Sequence, residues 1–279
     1  MQRSTKIVAT LGPASSETGV LTRMIEAGVD VVRLNFSHGT HDDHRKRVEL
    51  VRDCVRRVGR TVGIMVDLQG PKIRVGKFAE GKVELANGAP FILDAACKLG
   101  DAARVGLDYP ELVGDVEPGA VLLLDDGRIV LDVESIRGRE IHCRVRVGGT
   151  LSNNKGINRQ GGGLSAPALT DKDKGDIRLA AEFNADYVAV SFPKSGADIR
   201  QARELLAAAG SDALIIAKIE RTEAIAALEE ILDASDAIMV ARGDLAVEVG
   251  DAAVPALQKR MIRVAREHNK VAITATQMM

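Results

Sequence analysis

The chain of 279 residues has no tryptophan, and only 3% of it is aromatic. Its core must be built from Val, Ile, Leu and Ala, which suits the β-branched runs of a buried parallel sheet. Cysteine is scarce as well. Cys54, Cys97 and Cys143 form no close pair and no zinc spacing, which excludes a disulfide framework and points to a reducing, cytoplasmic compartment. No apolar run approaches the roughly 18–20 residues that cross a bilayer, so no membrane partner is expected. The first residues lead straight into a strand-like run, and no signal peptide is read there. Neither sign of charge predominates. With 38 Lys+Arg against 39 Asp+Glu the net charge is −1. That argues against a nucleic-acid surface but leaves room for a local anion pocket.

What the sequence does have is alternation. Seven short apolar runs, at 6–11, 29–35, 62–67, 186–191, 214–219, 236–241 and 271–276, are interleaved with helical patterns. Val48, Val51, Val55 and Val58 follow the helical period, and so do Val254, Leu257, Met261 and Val264. Strand-helix alternation predicts an α/β fold with right-handed crossovers, here a (β/α)8 TIM-type barrel. The runs end in polar or small residues, and such a barrel builds its active site at the C-terminal ends of its strands. Seven strands are visible where closure needs eight. The expectation is an incomplete barrel, a fragment with unpaired first and seventh edges that is prone to aggregate and weakly active alone.

The spacing breaks once. Residues 71–166 hold 15 of the 27 Gly and four of the eight Pro. Strand-like pieces at 120–124, 129–133 and 141–147 are separated by Asp-Gly, Arg-Gly and Gly-Gly turns. The expected organisation is barrel over 1–70, an inserted small all-β domain over 71–166, and barrel again over 167–279. The insert would sit as a lid on the strand ends.

Lys218 and Glu220, two apart on a strand, point the same way. The bland reading is a structural ion pair; the functional one is a metal-binding carboxylate with a cation beside it. Asp244 stands at the next strand end, after Gly243, where the backbone can approach a ligand. Two carboxylates on neighbouring strand ends suit Mg²⁺ or Mn²⁺ rather than zinc. Arg33, inside an apolar strand, is placed to clamp a phosphate or carboxylate. Asp67, followed by Lys72 and Arg74, repeats the design. Thr276 adds a hydroxyl. His38 is a phosphate contact or a structural residue, and the other four histidines receive no role.

RLNFSHG (33–39), DLQGPKIR (67–74), IIAKIERTEA (215–224), MVARGDLAVE (239–248) and ITATQM (273–278) occur in that order. Together they resemble the pyruvate kinase family, from the first strand to Met279. SNNKGIN (152–158), in the insert, matches too. The resemblance implies transfer of the phosphoryl group of phosphoenolpyruvate to ADP, giving pyruvate and ATP, the last step of glycolysis. It implies Mg²⁺ (or Mn²⁺) on Glu220 and Asp244, and Lys218 against the migrating phosphoryl group and the enolate oxygen. Arg33 would bind phosphate, and Arg74 would help fix the lid. Thr276, through water, would neighbour the carbon that takes the proton. Backbone N–H groups of 241–244, Ala241 and Gly243 among them, would meet the substrate carboxylate at a helix start. Asn35, His38 and Lys155 would face the nucleotide. The family also implies a homotetramer when full length, with an eighth βα unit and a C-terminal domain.

One departure is informative. Many family members hold K⁺ with Asn, Ser, Asp and Thr, and carry Glu where this chain has Lys72. Asn35, Ser37 and Asp67 remain, but Leu68 replaces the Thr. The exchange of Glu for Lys changes the local charge by two units, so the ammonium is expected to stand in for K⁺ and make it dispensable. The competing readings are a metal-dependent aldolase or lyase that forms a pyruvate enolate, and an inactive truncated piece.

Overall fold

A computed structural model describes residues 4–275. Seven parallel strands form one curled sheet. They are β1 (Val8–Thr10), β2 (Val31–Asn35), β3 (Gly63–Asp67), β4 (Tyr187–Val190), β5 (Leu214–Ile219), β6 (Ala237–Ala241) and β7 (Val271–Ala275). Their order in the sheet is their order in the chain, with β1 and β7 at the edges. The fold is thus an open barrel of the expected type.

The period of two along each strand sorts its residues into two environments. Ile64 and Val66, Val188 and Val190, Ile215, Ala217 and Ile219, and Ile238 and Val240 face the surrounding helices and join the main core. Their alternates Met65, Ala189, Ile216, Ala237 and Met239 form a separate, smaller cluster on the inner face. Alanines in that layer keep the interior shallow, so polar side chains one step further along the strands have room. Two helices begin at capping boxes. Thr40 caps His41–Val58 and Thr170 caps Asp171–Glu182, each through a reciprocal box with an Asp three residues on.

Between β3 and β4 the chain builds a second core running from Ile73 to Leu164. A six-stranded sheet lines it, with spatial order Ile157–Arg159, Val121–Leu124, Ile129–Arg137, Glu140–Val147, Pro90–Asp94 and Arg104–Val105. Lys82–Leu85 pairs separately with Gly149–Ser152. The insert is not wholly β, because Leu112–Asp115 is a short helix. Its return path crosses the barrel at Gly162, whose φ is +80°. A Cβ there would lie 2.7 Å from the Glu223 carboxylate oxygens. Glu223 also accepts a hydrogen bond from Gly163 N–H at 2.5 Å.

His44 sits on the inner face of its helix, 1% exposed and stacked on Phe36 with ring centroids 4.1 Å apart. Burial, reinforced by Arg47, holds its imidazole below the ordinary value of 6.5. A depressed folded pKa contributes stability that is present above 6.5 and is lost as pH falls through the folded value. The thermal midpoint of the wild type should therefore fall faster on acidification below 6.5 than that of His44→Leu. Parallel profiles, differing only by a constant offset, would contradict this.

Candidate active site

The inward-facing positions at the strand ends carry charge. Asp67 closes β3, level with Asn35 on β2 and Ala189 on β4. Ser191 follows β4, Lys218 lies on β5 level with Met239 of β6, and Glu220 follows β5. The period of two that sends Ile215, Ala217 and Ile219 outward sends Lys218 and Glu220 inward together.

These side chains meet. Lys218 Nζ lies 2.8 Å from Glu220 Oε1 and 3.2 Å from Asp67 Oδ1. It donates a hydrogen bond to Ser191 Oγ at 2.6 Å. Ser191 in turn donates to the Leu68 carbonyl at 2.7 Å. Arg33 Nε donates to Asp67 Oδ2 at 2.5 Å, and its Nη1 donates to Thr10 Oγ1 at 2.9 Å. Phe192 N–H donates to Glu220 Oε2 at 2.8 Å. Asp67 and Glu220 are each only 1% exposed. Two cations and two carboxylates thus balance in a nearly dry space, which is the condition for keeping such charges inside.

Burial opposes the charge on Lys218, but Glu220 and Asp67 outweigh it and raise its pKa above the ordinary lysine range. Glu220 responds differently. Burial pushes it up to about 7 against the pull of Lys218, with Asp244 adding to the rise. The ammonium keeps its proton because two carboxylates face it. Glu220 is the member whose charge is costly, and a further cation would favour it.

Asp244 lies in the first turn of the helix Arg242–Val249 that follows β6 directly. Its Oδ1 accepts from Lys72 Nζ at 3.2 Å, and Lys72 also lies 3.9 Å from Asp126 of the insert. Ala241 ends β6, nearly buried, and a Cβ built on Gly243 would meet nothing within 4 Å. The space beside that helix start is open to a ligand. A divalent cation suits this donor set. Glu220 Oε1 is buried and faces the Lys218 ammonium 2.8 Å away, with no other donor on it. Among the described residues no three His, Cys, Asp or Glu side chains group to hold a metal. Two carboxylates would leave the remaining positions to water and substrate oxygens, as Mg²⁺ prefers.

The other sequence candidates have local partners of their own. Arg74 Nη1 donates to the Asn154 carbonyl at 3.0 Å. Lys155 pairs with Asp125 at 2.7 Å. Asn35 Oδ1 accepts from Ser37 N–H at 3.0 Å, closing the turn that leads to exposed His38. Thr276 lies outside the described residues. Sequence reasoning gave no role to Ser191, Phe192, Asp125 or Asp126. Ser191 carried a signal, a polar residue ending an apolar run. The Asp125-Asp126-Gly127 stretch read only as a hairpin turn.

Comparison with known proteins gives the family. The profile of the pyruvate kinase barrel domain matches residues 2–279. The chain is 55% identical to the pyruvate kinase of Haemophilus influenzae and 54% identical to pyruvate kinase II of Salmonella typhimurium, over 99% of its length in each case. It is 46% identical, over its whole length, to the pyruvate kinase of Corynebacterium efficiens. It spans 59% of the length of each of these relatives. With the profile and the relatives covering essentially every residue, the chain belongs to the pyruvate kinase barrel-domain family.

Proposed function

We propose that the protein catalyses phosphoryl transfer from phosphoenolpyruvate to ADP, giving pyruvate and ATP. The observation that carries the reading is the buried Lys218 ammonium. It is held between Asp67 and Glu220 at the strand ends. Phosphoryl transfer asks a protein for little covalent chemistry and much positioning and charge neutralisation. In this reading Arg33 binds the phosphoryl oxygens, and Asp67 keeps its guanidinium aimed. Lys218 neutralises charge as the phosphorus–oxygen bond breaks and the enolate oxygen takes up the electron pair. The phosphoryl group passes to the terminal phosphate of ADP, and the enolate methylene takes a proton with Thr276 as its neighbour. Backbone N–H groups at 241–244 receive the substrate carboxylate. Glu220 and Asp244 would hold Mg²⁺ or Mn²⁺, which when bound supplies positive charge to substrate oxygens. Asn35, His38 and Lys155 face the nucleotide. Residues 71–166 act as a lid, tied to the barrel site through Lys72. The reading includes a cytoplasmic protein and a homotetramer at full length.

Replacing Lys218 by Met tests the central assignment. Loss of one well-placed charge at a transferring group typically costs on the order of 10²–10³ in rate. Pyruvate formation, followed by a coupled assay, should fall by that much. Near-normal turnover in a folded variant would refute the role. A coupled assay for ATP separates this activity from an aldolase or lyase, which would form none.

Lys72 supports a second expectation. Its ammonium lies beside Asp244 and Asp126, a fixed positive charge at the edge of the site. Rates in potassium chloride and in tetramethylammonium chloride at equal ionic strength should agree within about twofold, because exposed charges at matched ionic strength are screened alike. Lys72→Glu should make the rate depend on K⁺. A strict K⁺ requirement in the wild type would sink the substitution.

A further inference from the structure

The Ser191-Phe192 dipeptide contacts both members of the central ion pair. Ser191 Oγ takes a hydrogen bond from Lys218 at 2.6 Å, and Phe192 N–H donates to Glu220 Oε2 at 2.8 Å. Lys218 and Glu220 form an ion pair 2.8 Å long, and each is also held by a second group, Ser191 Oγ on the ammonium and Phe192 N–H on the other carboxylate oxygen.

Phe192 delivers its N–H from an unusual backbone. Its φ is +55°, a left-handed conformation that an aromatic residue rarely adopts. Its surroundings hold it there. The Arg221 guanidinium lies over its ring, 5.9 Å from the centroid. Gly70 packs on the other side, where a Cβ would come within 2.8 Å of Ser191 Cβ and 2.9 Å of Phe192 Cδ2. Gly70 is itself fixed by buried Asp173, which accepts its N–H at 3.1 Å. The same stretch supplies the Leu68 carbonyl that takes the Ser191 hydrogen.

We infer that Ser191 and Phe192 are positioning residues that fix the orientation of the Lys218–Glu220 ion pair, the serine aiming the ammonium and the left-handed Phe192 N–H aiming the carboxylate. The inference rests on the reading above, in which Glu220 holds the divalent ion and Lys218 meets the phosphoryl group.

A matched pair of substitutions isolates the backbone. Phe192→Gly and Phe192→Val both remove the ring, but glycine keeps φ near +55° freely whereas a β-branched residue resists it. Binding of Mn²⁺ alone to the substrate-free protein, read from the free-ion EPR signal, should weaken about tenfold in Phe192→Val, as for loss of one charge-assisted hydrogen bond. In Phe192→Gly it should stay within about twofold of wild type, since that bond is retained. Ser191→Ala should leave Mn²⁺ affinity within the same range. It should lower kcat about tenfold while KM for phosphoenolpyruvate changes little, because the ammonium loses aim rather than charge. Equal weakening in both Phe192 variants, or in neither, would overturn the Phe192 role. An unchanged kcat in folded Ser191→Ala would overturn the Ser191 role. Should Phe192→Val fail to fold, Phe192→Ala, which resists positive φ less strongly, gives the same order in smaller steps. Glu220→Gln separates the two levels. If it leaves Mn²⁺ affinity intact, the metal assignment itself is wrong. If it weakens binding while the Phe192 pair does not diverge, only the positioning is wrong.

Discussion

A buried ammonium between two carboxylates governs the top of this barrel. Lys218 is paired with Glu220 and Asp67, and Arg33 completes the balance from the far side of Asp67. No member can be removed without leaving another charge uncompensated in a dry space, where such a charge costs several kcal/mol. The cluster therefore constrains four strand ends at once. The register of the sheet, the small residues of the inner layer and the turns after β3 and β4 all serve to bring these side chains to one level. A fold that placed β4 one residue out of register would send Lys218's hydrogen-bond partner to the helical side of the sheet.

The cluster is balanced but not closed. Each charge is shared among neighbours, so no pair satisfies itself fully. That is the difference between an ion pair that only stabilises and one that can take up a ligand. The insert meets the barrel at the same place. Its outgoing connection passes Gly70 against Ser191 and Phe192, and its return path meets the Glu223 carboxylate. Both connections therefore run through residues adjoining β5, which carries the ammonium. Lys72 extends from the outgoing connection to Asp244.

Much of this was legible in the residues. The apolar runs marked all seven barrel strands. The spacing of Lys218 and Glu220 announced a shared direction, and Asp244 after β6 announced a second carboxylate beside it. The break in spacing located the insert between β3 and β4. The partners of these groups were not legible. Ser191 lies 27 residues from Lys218, and Asp173 lies 103 residues from Gly70. Nothing local in Ser-Phe-Pro marks a phenylalanine for the left-handed region, because that conformation is imposed by Gly70 and Arg221 from elsewhere in the chain. The Lys72 ammonium could be read as a gain of positive charge, but not as a partner of Asp244.

Strand-helix alternation, the inward direction of the charged residues and the family can all be read along the chain, since each depends on local periodicity or on contiguous motifs. Which oxygens the ammonium shares and why Phe192 turns left-handed emerge only in the packed molecule. Those outcomes depend on distances between strands far apart in the chain, and a linear pattern carries direction along a strand but no separation between strands.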